Sequence, residues 1–169
     1  DPSGHFYFLE VNTRIQVEHP VTEVRYGLDL IAAQIRIAAG EPLPWSQADL
    51  VPRGWAIECR INAEDPLNSF APGPGRITRW LPPAGPGIRV DAAAREGWRI
   101  PPFYDSMVAK VIAWAPDRAE ALARMGRALR EFRIEGVPTT IPFHLAVLAQ
   151  PAFAAGRIDT RFAETAVPE

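Results

Sequence analysis

The eighteen prolines of this 169-residue chain set the strongest limit on what it can fold into. Proline makes up about 5% of an average protein, so this chain carries about twice the usual share. Each proline fixes its own φ angle and has no backbone N–H to donate, which argues against an all-helical bundle. Three of them, Pro42, Pro44 and Pro52, lie close together between two patterned regions. We therefore predict a linker over residues 41–52, which separates a domain at residues 1–45 from a domain at residues 53–163.

The composition excludes several classes of protein. Eighteen Lys and Arg residues against twenty Asp and Glu residues give a net charge of −2, so the chain has no basic field for nucleic acid or an anionic membrane. The 47% apolar and 22% charged residues are typical of a globular domain, and no apolar run approaches the roughly 18 residues that span a bilayer. A single cysteine, Cys59, excludes an internal disulfide and indicates a reducing compartment. These features predict a soluble, cytoplasmic protein.

The apolar patterning predicts an α+β fold. Apolar residues recur at helical spacing over residues 21–40, where Asp29 is a candidate helix cap and Gly40 a stop. Residues 55–63 alternate as a half-buried strand does, and Asp117 is a candidate cap for a helix with an apolar stripe behind it. The remaining predicted elements are strands near residues 77–81, 88–91 and 107–114, a helix over 141–149 and a helical turn at 152–155. Together they predict a small antiparallel sheet or half-barrel with helices.

A row of polar residues carries the candidate chemistry: Glu10, Asn12, Arg14, Gln16 and Glu18 occupy every second position. In an extended segment they share one face, and the apolar residues between them pack on the other. The alternation alone also fits an ordinary half-buried strand with a solvated polar face. The chemical order of the row favours a site. A carboxylate beside an amide suits Mg²⁺, a guanidinium beside an amide suits a small oxyanion, and a further carboxylate can act as a general base.

Residues 8–15 (FLEVNTRI) resemble the metal-site signature of the ATP-grasp ligases, which carbamoyl-phosphate synthases and biotin-dependent carboxylases share. Four further motifs resemble the biotin carboxylases alone, and they follow in the family's order. They are residues 16–23 (QVEHPVTE), residues 58–66 (ECRINAEDP), residues 102–107 (PFYDSM) with Lys110, and residues 135–137 (EGV) with Thr139. The resemblance covers essentially the whole chain. It implies the end of an ATP-grasp domain followed by the small sheet-and-helix carboxyl-terminal domain of a biotin carboxylase.

The resemblance also implies a role for each residue of the row. Glu10 and Asn12 would bind the Mg²⁺ or Mn²⁺ that bridges the phosphates of ATP. Arg14 would be the active-site arginine, and with Gln16 and the backbone of Val17 it would bind bicarbonate.

Two further residues would act on bound groups. Glu18 would deprotonate bicarbonate, so that carboxyphosphate forms. Arg60 would stabilise the biotin enolate by a charge-assisted hydrogen bond. An ordinary surface arginine is the alternative for Arg60.

The implied substrates are ATP, bicarbonate and carrier-linked biotin. The implied partners are a biotin carboxyl carrier protein, a carboxyltransferase component, the rest of the biotin carboxylase chain and a possible homodimer. The final acceptor stays open between the acyl-CoA of an acetyl-CoA carboxylase and the 2-oxo acid of a pyruvate carboxylase. Pro86 stands where relatives often have an aromatic residue near the dimer contact, which puts dimerisation in doubt, although Arg89 is retained.

We expect the chain to be part of a longer enzyme and inactive alone. It opens without a methionine, Lys110 is its only lysine, and it has no glycine-rich loop with a phosphate-binding lysine. Two alternatives are another ATP-grasp ligase, which residues 16–23 and 58–66 disfavour, and a non-catalytic assembly module. We interpret His19 as structural or as support for a neighbouring site residue, and His144 as structural or solvated. Tyr104, Asp105 and Lys110 are expected to hold domains together and not to catalyse.

Overall fold

The structure, a computed structural model, describes residues 4–162. Its helices and strands follow one another in a mixed order that confirms the α+β class. The helices are α1 (His19–Tyr26), α2 (Leu30–Ala38), α3 (Arg118–Glu131), α4 (Ile141–Ala149) and α5 (Pro151–Ala154). The strands are β1 (Trp55–Asn62), β2 (Glu64–Asp65), β3 (Ala71–Pro72), β4 (Gly75–Arg76), β5 (Arg79–Leu81), β6 (Ile88–Ala92), β7 (Arg99–Ile100), β8 (Met107–Ala115) and β9 (Arg133–Glu135). The first residue of one predicted domain and the last residue of the other, 1 and 163, lie outside the described residues.

A three-stranded antiparallel sheet in the order β1-β8-β6 forms the centre of the fold. Its alternation gives it two unlike faces, because opposite residues of neighbouring strands point to the same side. Cys59, Val111 and Val90 are in register on the apolar face, and Arg60, Lys110 and Asp91 are in register on the other. The sheet confirms the strand predicted at residues 55–63 and the small antiparallel sheet.

Helix α3 covers the apolar face. Asp117 caps it, because its carboxylate accepts a hydrogen bond of 2.8 Å from the N–H of Glu120. Met125 and Leu129 of the predicted apolar stripe are fully buried in one core cluster with Ile61 and Val111. The predicted stripe is therefore core packing, as expected.

Three two-stranded ladders and two helices surround this core. The ladders pair β2 with β3, β4 with β7, and β5 with β9. Helices α4 and α5 confirm the helix and the helical turn that the pattern predicts at residues 141–149 and 152–155. No helix among residues 4–162 is long and apolar enough to cross a membrane.

The single helix predicted over residues 21–40 is wrong, because two helices occupy this region. Gly27 ends α1 with a φ of +69°, a left-handed conformation that glycine adopts without steric cost. Asp29 then begins α2, since its carboxylate accepts a hydrogen bond of 2.8 Å from the N–H of Ala32. The predicted cap is confirmed, but it belongs to the second of two short helices. Between Ala38 and Trp55 the chain forms only the 3₁₀ turn Gln47–Asp49.

The packing expected for the apolar residues of the polar row is not found over residues 5–12. Residues 5–12 form no regular secondary structure. The side chains of Leu9 and Val11, expected against a core, are 90% and 67% exposed. The physical reason is that no strand among residues 4–162 pairs with this segment, so its apolar side chains have no surface to pack on. Burial begins at Ile15, where the chain approaches the sheet.

Candidate active site

The polar side of the central sheet carries five charged residues that we call the charged face: Glu58, Arg60, Arg89, Asp91 and Lys110. Strand register places them in two adjacent rows. Arg60, Lys110 and Asp91 lie opposite one another, and Glu58 and Arg89 flank Ile112 in the next row. The alternation of β1, β6 and β8 therefore concentrates charge on the side that faces α1.

Three cations of this face hold the segment from Val17 to Glu23. The Nη2 of Arg60 lies 2.7 Å from the Oε2 of Glu18. The Nζ of Lys110 donates to the carbonyl oxygen of Val17 at 3.0 Å, and the Nη1 of Arg89 donates to the Oε2 of Glu23 at 2.6 Å. Each cation comes from a different strand of the sheet. The end of the polar row is therefore fixed by residues far from it in sequence.

Glu18 is an ionised carboxylate in this setting. A hydrogen bond from its own backbone N–H is the largest cause that lowers its pKa, and the positive charges of Arg60 and Arg14 lower the pKa further. Its side chain is half exposed, as is that of Arg60. An ionised and accessible carboxylate is able to accept a proton from a bound substrate.

Arg14, Gln16 and His19, which flank Glu18 in sequence, make local contacts with the backbone. The Nη1 of Arg14 donates to the carbonyl oxygen of Ile15 at 3.1 Å. The Nδ1 of His19 lies 2.8 Å from the carbonyl oxygen of Gln16, and because a carbonyl only accepts, Nδ1 carries the proton. His19 thus stabilises the turn at the start of α1.

The backbone of Arg60 is held from the opposite direction. Its carbonyl oxygen accepts a hydrogen bond from the Oγ1 of Thr140 at 3.1 Å and another from the Nε2 of His144 at 2.8 Å. Burial lowers the pKa of His144, which keeps its ring neutral. The N-terminal end of α4 therefore fixes the strand position from which Arg60 reaches Glu18.

Glu58 is a buried acid without a partner. Neither of its carboxylate oxygens is accessible to solvent or has a hydrogen-bond partner among the described residues. Desolvation raises its pKa to about 7, against the opposing effect of the Lys110 and Arg60 charges. An acid of this kind changes its protonation state near neutral pH, on the same face of the sheet as Arg60 and Lys110.

Glu10 and Asn12 lie apart from this cluster. Both are exposed, and within residues 4–162 no hydrogen bond or ion pair holds either side chain. In the same part of the chain no group of three His, Cys, Asp or Glu side chains converges on a possible metal site. Two accessible oxygen donors nevertheless fit Mg²⁺, which protein oxygens often bind jointly with substrate phosphates.

Comparisons with known proteins identify the family of the chain. A sequence model of the biotin carboxylase C-terminal domain matches residues 58–165, more than half of the chain. The chain belongs to the biotin carboxylase C-terminal domain family. A second model, of the ATP-binding domain of the carbamoyl-phosphate synthase L chain, matches residues 1–46.

Relatives of this biotin carboxylase C-terminal domain are much longer proteins. A biotin carboxylase of Nostoc sp. is 57% identical over 97% of this chain and 37% of its own length. A pyruvate carboxylase subunit of Methanothermobacter thermautotrophicus is 57% identical over 96% of this chain and 33% of its own length. The chain therefore spans about a third of the curated relatives that it matches.

A solved structure shares the fold. The biotin carboxylase domain dimer of Hydrogenobacter thermophilus 2-oxoglutarate carboxylase, in complex with MgADP, ADP and bicarbonate, has a TM-score of 0.95 and 51% identity. The match covers 98% of this chain and 36% of that one. The end of an ATP-grasp domain and the carboxyl-terminal domain that the motifs imply are thereby confirmed.

Sequence reasoning missed two members of the site, Glu23 and Glu58. For Lys110 the motif indicates a role in holding domains together, and its side chain contacts Val17. Alternation places Glu58 on the polar side of its strand, but it does not show that α1 covers that side. Glu23 is 5% exposed and binds both Arg89 and the N–H of Leu30. Its position at the end of the motif at residues 16–23 is the available signal.

Proposed function

We propose that this chain supplies the bicarbonate-binding and biotin-binding part of a biotin carboxylase, a ligase that uses ATP and bicarbonate to carboxylate biotin on a carrier protein. The observation that carries the proposal is the 2.7 Å contact between Glu18 and Arg60. It brings together the base proposed for bicarbonate and the cation proposed for biotin, 42 residues apart in sequence. The chain would act with an ATP-grasp region of the kind that its longer relatives have.

In the proposed first step, Arg14, Gln16 and the backbone of Val17 bind bicarbonate. Glu18 accepts the proton of bicarbonate, whose oxygen attacks the γ-phosphorus of ATP, so that ADP leaves and carboxyphosphate forms. The lowered pKa of Glu18 supports this role, because the carboxylate is free of a proton at neutral pH.

Glu10 and Asn12 would hold Mg²⁺ or Mn²⁺ together with the phosphates of ATP, and the bound ion would offset the negative charge of those phosphates. Their exposure supports a site that is completed by a nucleotide and not by further residues of this chain.

In the proposed second step, Arg60 acts on biotin. Carboxyphosphate breaks down to CO₂ and phosphate, and the phosphate takes the ureido proton while Arg60 donates a hydrogen bond to the enolate oxygen. The deprotonated ureido nitrogen then attacks CO₂, which forms carboxybiotin. The guanidinium has five N–H donors, and its contact with Glu18 uses the Nη2 group alone. Arg60 can therefore bind a second anion while it stays beside Glu18.

The proposal extends to partners and location. A carrier protein would deliver biotin, a carboxyltransferase component would use the carboxylated carrier, and the enzyme would work in the cytoplasm. The relatives described above include both a biotin carboxylase and part of a pyruvate carboxylase. The proposed reaction is therefore the carboxylation of biotin, whichever acceptor follows.

Replacement of Arg60 by alanine in the full-length carboxylase tests the proposal. We expect Arg60→Ala to lower carboxybiotin formation by about two to three orders of magnitude, the usual effect of losing one oxyanion contact. Bicarbonate-dependent phosphate release should be largely spared, since carboxyphosphate forms before the enolate exists. Glu18→Gln should instead suppress both, because an amide cannot accept the proton. Phosphate release and carboxybiotin are measured on the same samples.

Arg127→Ala is the matched control. Arg127 forms an exposed ion pair with Glu131, in which the two side chains are 40% and 49% exposed. The side chains of Arg60 and Glu18 are exposed to a similar extent, 51% each. The Arg127–Glu131 pair lies on α3, so its loss should leave both products unchanged. Equal losses of both products in Arg60→Ala would show that Arg60 orders the whole site, and the proposed division of roles would then be wrong.

A further inference from the structure

Lys110 makes a contact that the proposed reaction does not use. Its Nζ lies 3.0 Å from the carbonyl oxygen of Val17, 93 residues away in sequence. The Lys110 side chain is only 13% exposed. An ammonium with so little exposure fixes the position of the carbonyl to which it donates, because losing that hydrogen bond would leave the charge with only the 3.5 Å contact to Asp91 among the described residues.

The Val17 carbonyl and the Glu18 N–H belong to one planar peptide unit. An ammonium that fixes the carbonyl therefore also fixes the direction of the N–H. That N–H donates to the carboxylate of Glu18, and this contact is the largest cause of its lowered pKa. Lys110 thus acts on both groups that the proposed function assigns to bicarbonate: the Val17 backbone and the Glu18 side chain.

Lys110 is itself held in place by a closed network. The Oδ2 of Asp91 lies 3.5 Å from the Nζ of Lys110. Asp91 also accepts two hydrogen bonds from Arg89, at 2.8 and 2.9 Å, and Arg89 binds Glu23 of α1. The network therefore begins at Val17 and ends at Glu23, so the sheet binds both ends of the segment between these two residues.

We propose that Lys110 is the positioning residue for bicarbonate, because its ammonium holds the Val17–Glu18 peptide against the charged face of the sheet. This inference rests on the proposed function. In this proposal the charged face also has a structural function, because it fixes the position of the Val17–Glu18 peptide.

The test is a comparison of Michaelis constants in the full-length carboxylase. Lys110→Met keeps the length of the side chain and removes its charge. We expect the KM for bicarbonate to rise by about tenfold to a hundredfold, the range for a hydrogen bond to a charged group. The KM for ATP should stay within about twofold, since Lys110 contacts Val17 and Asp91 and not Glu10 or Asn12, the residues proposed to hold the metal ion with ATP.

Arg124→Met is the matched control. The Nη1 of Arg124 also donates to a backbone carbonyl, that of Trp114, at 2.7 Å, but it reaches that carbonyl from α3. Its loss should leave the KM for bicarbonate unchanged. An equal rise in the two variants would mean that Lys110 contributes only to stability and would overturn the proposal, as would an unchanged KM in Lys110→Met.

Lys110→Arg keeps the charge and protects the test against misfolding of the methionine variant. A guanidinium differs in shape and reach from an ammonium, so the KM for bicarbonate should still rise by about threefold, and an unchanged value would contradict positioning by Lys110. Failure of the proposed function has a separate signature. Phosphate release by the wild-type enzyme would then not depend on bicarbonate at all, and the inference would be withdrawn with it.

Discussion

The two ends of the polar row differ in what holds them. Glu10 and Asn12, at one end, are exposed on a segment without regular secondary structure. Val17 and Glu18, at the other end, are bound by Lys110 and Arg60 at 3.0 and 2.7 Å. Both ends come from one uninterrupted alternation of polar and apolar residues. The alternating pattern therefore predicts which residue types a site contains. Which of these residues have a fixed position depends on contacts with residues far away in sequence.

The difference has a physical cause. A cation on a strand of a packed sheet has little freedom left to lose, so its hydrogen bond to the loop is retained at small entropic cost. The segment at residues 5–12 pairs with no described strand, and ordering its side chains would have to be offset by contacts that residues 4–162 do not provide.

The largest expected effect that separates the two regions concerns stability. Ile61→Ala should lower the free energy of unfolding by about 2–5 kcal/mol, because Ile61 is completely buried and its removal leaves a cavity. Leu9→Ala should change it by less than about 0.5 kcal/mol, because Leu9 is 90% exposed. Urea denaturation of the 169-residue chain measures both. A comparable loss in Leu9→Ala would show that residues 5–12 pack on the domain after all.

A smaller effect concerns the charged face and pH. The pKa of Glu58 is raised from 4.5 to about 7 in the folded chain, so between these values the folded state binds more protons than the unfolded state. Stability from this group is therefore fully present below pH 4.5 and is lost as the pH rises towards 7. In wild type, we expect the free energy of unfolding to fall by about 1–2 kcal/mol through this group between pH 4.5 and 7, a value reduced for solvent screening. Glu58→Gln should abolish this fall.

The measurement is denaturant unfolding of both proteins at pH values from 4.5 to 7.5. Glu131→Gln is the control, since Glu131 is an exposed acid on α3 whose side chain pairs with Arg127. A Glu58→Gln profile that runs parallel to the wild-type profile would show that Glu58 has an ordinary pKa in the folded chain.

Much of the carboxyl-terminal fold is predictable from local patterns. The alternation of β1, the Asp117 cap and the stripe with Met125 and Leu129 each give the correct element, because both period and cap are set by neighbouring residues. The break at Gly27 is not predictable in this way, since a glycine within a helical pattern is also compatible with a continuous helix. Only the structure shows that Gly27 has a positive φ.

The chemistry of the candidate site is predictable only as residue types. The motifs indicate Glu18 and Arg60 as members of the family's site, and the structure places them in contact. The network from Glu23 through Arg89 and Asp91 to Lys110 depends on strand register, which a single sequence does not specify for three strands that are far apart in the chain.

Backbone hydrogen exchange of the 169-residue chain tests most directly the claim that the sheet holds one end of the row. Amides at both ends of α1 are hydrogen-bonded. The N–H of Val21 donates to the carbonyl oxygen of Glu18 at 3.1 Å, and the N–H of Gly27 donates to the carbonyl oxygen of Glu23 at 2.8 Å. We predict that the amides of residues 21–27 exchange at least about a hundredfold more slowly than those of residues 5–12, where no helix or strand protects the backbone. Equal exchange rates in the two segments would contradict the claim that the charged face anchors the segment from Val17 to Glu23.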